Sequence, residues 1–131
     1  MGHDELQATF KEASWEEKPV IERDGIKITR TRYEAAYRGD LEGHAVVEAI
    51  MIYRLDGTVS YTGAEHFEGT VRGQRGSFVI QSSGEYDDGV ASTRGRIVKG
   101  AGTGELAQLE GEIVQRATKE GPQQLTIRLR S

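Results

Sequence analysis

The chain contains no cysteine, which excludes a disulfide framework, a thiolate nucleophile and a zinc ribbon, and the natural expectation is a reducing, cytoplasmic setting. It also lacks any run approaching the ~18 consecutive apolar residues of a membrane-spanning helix. Its start, Met1-Gly2-His3-Asp4, has no basic region leading into an apolar stretch, so a soluble, unprocessed protein with no membrane partner is expected. Basic residues do not gather in a block. At a net charge of -4 they are interspersed with Asp and Glu, which leaves no footprint for nucleic acid and argues against such a partner. Arg72 with Arg75, and Arg128 with Arg130, read as solvated faces.

A sustained helical period is missing as well. Seventeen glycines punctuate short alternating runs, the mark of many tight turns between strands. The alternation predicts about eight strands, over 6–14, 26–38, 43–54, 58–68, 75–86, 90–99, 110–118 and 123–130. The segments 15–25, with Trp15 and Pro19, and 100–104 are expected to be connections. A single domain over 1–131 is long enough for one core, and consecutive strands with one apolar face close most economically into an up-and-down antiparallel β-barrel.

The most informative stretch runs from Ala45 to Phe67, two alternating segments around Leu55-Asp56-Gly57. A three-residue loop there pairs Arg54 with Thr58 and puts odd-numbered residues of both strands on one face. That face is apolar except for Glu65, whose carboxylate must be paired, hydrogen-bonded or protonated if it is interior. Extending the same face through a two-residue Gly73-Gln74 loop sets Ser82 opposite Glu65, and a three-residue Asp87-Asp88-Gly89 loop brings Arg94 diagonal to it. Glu48 falls on the other face. A two-residue Asp56-Gly57 loop would instead make Glu48 and Glu65 a facing carboxylate dyad. Val46, Ile50 and Ile52 lie outward in the first register, an apolar patch that a second subunit would explain, so a homo-oligomer is expected.

The runs Gly39-Asp40-Leu41-Glu42-Gly43, Tyr53-Arg54-Leu55-Asp56-Gly57, Gly63-Ala64-Glu65, Gly76-Ser77-Phe78-Val79 and Gly102-Thr103-Gly104-Glu105-Leu106, together with Glu48, resemble a bacterial domain-of-unknown-function family, DUF3224-like, similar in fold to allene oxide cyclase. The resemblance implies a barrel with a central cavity that commonly self-associates, and it brings no established activity. Members of that family often carry His where this chain has Ser82, so an imidazole partner for Glu65 is not supplied here.

These readings converge on a cavity. Glu65 and Tyr61 are the candidate catalytic pair, a carboxyl shifted by apolar neighbours and a phenol that steers charge. Tyr33, Tyr37, Met51, Tyr53, Phe67, Phe78, Ile80, Ser82, Tyr86 and Arg94 are candidate ligand contacts, with Glu48 a possible addition. No cofactor is expected. His44 and Glu48, four apart, would span about 13 Å on a strand at ~3.3 Å per residue, too far for one metal ion. The 100–104 loop lacks the Lys-Ser or Lys-Thr ending of a phosphate loop, and no histidine stands near Ser77, Ser82 or Ser83 for a hydrolytic triad. The expected partner is a small apolar molecule, which the barrel isomerises or cyclises, or else carries unchanged. A barrel with a filled core and no ligand is the structural alternative.

Overall fold

The computed structural model describes residues 4–118 and 123–130; His3 therefore lies outside the described residues. Nine strands follow one another: β1 (Glu5–Arg23), β2 (Ile26–Gly39), β3 (Leu41–Tyr53), β4 (Val59–Val71), β5 (Gln74–Asp87), β6 (Val90–Ile97), β7 (Thr103–Gly104), β8 (Gly111–Thr118) and β9 (Gln123–Leu129). Each of the first four pairs with the next, β5 with β6, β6 with β8, β8 with β9, and β9 returns to β1, all antiparallel. Eight strands thus close an up-and-down barrel, and the two-residue β7 adds to β5 at Gly76 and Ser77. The glycine-rich connection is therefore partly a strand.

The hairpins set the registers. Arg54 N–H donates to the Thr58 carbonyl at 2.9 Å, so the Leu55-Asp56-Gly57 loop has three residues, and Val47 faces Glu65. Glu48 consequently points outward, where it meets Arg30 at 3.3 Å, and the carboxylate dyad is excluded. The next two loops differ from expectation. Arg72-Gly73, not Gly73-Gln74, forms the turn after β4, with φ of 47° and 86°, and Val71 pairs with Gln74. This is the left-handed pair that a two-residue hairpin demands, with Gly at the second position and Arg72 accepting the strain of the first. The slip moves Ile80 opposite Glu65 and Ser82 opposite Gly63 while keeping the same face inward. Asp88-Gly89 likewise makes a two-residue turn, so Arg94 pairs with Ser83 on the outer face and is exposed.

β1 runs on through the segment expected to be a loop. Leu6, Ala8, Phe10 and Glu12 share one parity, and then a bulge at Ser14, with φ of 57°, shifts the pairing with β2 between Ala13 and Glu16. A bulge exchanges the two faces of a strand. Beyond it Trp15 and Glu17 carry the inward parity, which breaks the alternation in the sequence without ending the strand. Among the described residues β1 pairs with β9 as far as Phe10–Gln123, and the rest of β1 pairs with β2.

One end of the barrel is packed solid. Phe67 and Phe78 are fully buried with ring centres 5.0 Å apart, and Tyr37 meets Phe67 edge-on at 5.8 Å. Leu6, Leu41, Ile80, Ile113, Leu125 and Ile127 surround them, and Leu106 of the segment after β7 is buried among the same cluster. Burying a single phenylalanine of this kind contributes about 3 kcal/mol.

Candidate functional site

Toward the other end the same strands carry smaller inward residues, and a cavity of about 410 Å³ opens there. Ala49, Gly63, Ser82, Ala91, Thr93 and Ala117 supply the space, while Trp15, Tyr33, Tyr53, Tyr61 and Tyr86 wall it. A pocket of this size and lining suits a small, mostly apolar molecule.

Glu65 stands at the floor, 6% exposed, between Val47 and Ile80 in the sheet. Tyr37 of β2 donates its phenol proton to Oε2 of Glu65, and Gln115 of β8 donates to the Tyr37 oxygen at 3.3 Å. Gln115 also hydrogen-bonds the carboxyl directly. Three walls of the barrel therefore converge on one acid. Burial pushes the Glu65 carboxyl up to about 7; the hydrogen bonds from Tyr37 and Gln115 hold it from rising further, and the charge of Glu12 adds to the rise. A carboxyl that titrates near neutrality can either give or take a proton. Burial and the neighbouring Glu65 raise Tyr37 well above the ordinary phenol value, so this tyrosine stays a donor.

Nearer the mouth, Trp15 stacks on Tyr33 with ring centres 4.7 Å apart and planes at 13°. Glu12 hydrogen-bonds Tyr33 and Gln123, and desolvation raises its carboxyl despite those bonds. Tyr33 is itself raised, by burial first and then by the charges of Glu12 and Glu65. Glu17 accepts from Thr29 at 2.6 Å, from Tyr53 and from Trp15 at 3.4 Å; burial works against its charge, but these bonds hold its carboxyl below the usual range. Burial and that bond push the Tyr53 phenol up to about 12. The Tyr61 and Thr93 hydroxyls hydrogen-bond each other at 2.5 Å.

The structure sorts the expected residues. Glu65, Tyr33, Met51, Tyr53, Tyr61, Ser82 and Tyr86 line the cavity. The phenol that holds Glu65 is Tyr37, however, while the Tyr61 hydroxyl is engaged with Thr93. Phe67, Phe78 and Ile80 belong to the packed end, because the shared inward face continues past the cavity into the core. Arg94 and Glu48 point outward. Glu12 and Gln115 were missed. The alternation Leu6, Ala8, Phe10, Glu12 carried the signal for the first, and Ile113, Gln115, Ala117 for the second. Among the described residues no group of three His, Cys, Asp or Glu side chains is gathered to hold a metal ion.

A family model described as a protein of unknown function, DUF3224, matches residues 6–129. A crystal structure of a protein with unknown function from that family, from Shewanella oneidensis MR-1, superimposes with a TM-score of 0.79 at 22% identity, covering 98% of this chain and 97% of that one. Nothing among curated proteins matches the chain.

Proposed function

The chain belongs to the DUF3224 family of proteins of unknown function, and from that premise we propose that it takes a small, mostly apolar molecule into the open end of the barrel and isomerises or cyclises it without a cofactor. The observation that carries this reading is Glu65, a nearly buried acid with a pKa of about 7 at the floor of a 410 Å³ cavity. The aromatic walls would hold a flexible ligand in one folded conformation, and confinement of that kind can supply much of a rate enhancement. Glu65, steadied by Tyr37 and Gln115, would move the proton.

Binding is tested with N-phenyl-1-naphthylamine, a neutral fluorescent probe. Saturable enhancement, with a change in emission from Trp15 at the rim, is the expected result; absence of any saturable site overturns the reading. Catalysis is tested on whatever ligand survives purification, identified by mass spectrometry. Conversion by the native chain and none by Glu65→Gln supports the enzyme. Retention of the same unconverted ligand by both makes the protein a carrier. Val46, Ile50 and Ile52, 36–39% exposed on the outer face, support a proposal of self-association, which light scattering decides.

A further inference from the structure

We infer that the cavity takes a protonated amine carried on an aromatic or apolar body, and that it turns away anions; this rests on the reading above that the cavity binds a small molecule. Among the described residues that line the space are Glu12 and Glu65, with no Lys, Arg or His. Lys27 stands 5.3 Å from the centre of the Tyr53 ring but does not line the cavity. An anionic ligand would enter a low-dielectric space with two carboxyls and no counter-charge, whereas a cation supplies what that space lacks.

Hydrogen bonding within the cavity points the same way. The phenol protons of Tyr33, Tyr37 and Tyr53 are already engaged with Glu12, Glu65 and Glu17. Two buried polar atoms remain open: the hydroxyl of Thr31, fully buried on the cavity wall and able to accept or donate, and Oε1 of Gln123, an acceptor whose neighbouring amide serves Glu12. Buried polar atoms are normally satisfied, so unpartnered ones on a cavity wall mark where a ligand brings its own polar group. An ammonium group brings three N–H donors, which the Thr31 hydroxyl, Gln123 Oε1 and the Glu12 and Glu65 carboxyls can all accept. Trp15, Tyr33, Tyr61 and Tyr86 add ring faces that attract a cation and pack against an apolar body.

Three ligands of nearly one shape separate the possibilities: tryptamine, tryptophol and indole-3-acetate, titrated calorimetrically into the full chain at neutral pH. Tryptamine is expected to bind at least about tenfold more tightly than tryptophol, as charge-assisted hydrogen bonds require, with no heat from indole-3-acetate. Glu12→Gln should lower tryptamine affinity about tenfold and leave tryptophol within about twofold. Equal or tighter binding of tryptophol, or any saturable binding of indole-3-acetate, overturns the amine inference while leaving a small-molecule cavity intact. Binding of N-phenyl-1-naphthylamine with none of the three indoles does the same. Absence of binding by all four probes removes the cavity reading as well. If Glu12→Gln does not fold, the tryptamine-to-tryptophol ratio of the native chain decides alone.

Discussion

The two ends of this barrel are made by the same strands, yet one is solid and the other hollow. β4 contributes Phe67 to the packed end and Gly63 to the cavity; β5 contributes Phe78 and Ile80 to the first, Ser82 and Tyr86 to the second; β8 contributes Ile113 and then Ala117. Along these strands the inward positions change from large apolar side chains to Gly63, Ser82 and Ala117, and that change opens the space. Even the glycines take part, because a Cβ at Gly84 would come within 2.5 Å of the Tyr61 hydroxyl, which lies across it. Glu65 sits where the two regimes meet, buried like the core and facing the space.

Four substitutions probe that contrast. The largest effect belongs to the solid end: Phe67→Ala should cost about 3–5 kcal/mol in urea unfolding, since its neighbours Tyr37 and Phe78 cannot collapse into the void. A loss under about 1 kcal/mol would mean the packed end is not the source of stability.

The boundary comes next. With a folded pKa of about 7 against an ordinary 4.5, Glu65 makes the native state bind more protons than the unfolded state between those values. Stability therefore falls as pH rises through that window. The favourable contribution is complete below the lower value and lost above the upper, a change of about 3 kcal/mol. Glu65→Gln should flatten this slope and be the more stable protein at pH 8. An unchanged slope in the variant would place the titration elsewhere.

Tyr37→Phe is expected to cost about 1–2 kcal/mol and, by removing a donor to the carboxylate, to move the Glu65 titration higher still. Carboxyl carbon shifts followed by NMR against pH measure both the site and the direction. The smallest stability effect belongs to the hollow end. Ala49→Leu grows into open space, so it should alter stability by less than about 1 kcal/mol while abolishing binding of the neutral probe. A large destabilisation there would show the space to be less open than its walls suggest.

What the sequence disclosed follows from which physical signal each feature leaves. The inward face of Glu65 was readable because alternation has a period of two, and a register slip of two residues, as at Arg72-Gly73, leaves every face unchanged. The partner across the sheet was not readable, because it depends on which residue accepts positive φ, and an arginine did so beside Gly73. Position along the barrel axis leaves no periodic trace at all. Phe67 and Phe78 therefore looked like cavity residues until the strands were staggered into place. The far half of β1 was hidden by its bulge at Ser14, which exchanges the faces on either side.

The return of β9 to β1 has a kinetic meaning. Most of the other barrel pairings join strands that are neighbours in the chain, and β6 with β8 spans only the short β7 segment, so those contacts can form locally. Closure instead brings Leu6 to Ile127, nearly the whole chain apart. Its loop entropy must be met before the contact is gained, which makes it the slow step. Hydrogen exchange during refolding should accordingly protect the β3–β4 hairpin early and the amides of Leu6, Ala8, Leu125 and Ile127 last.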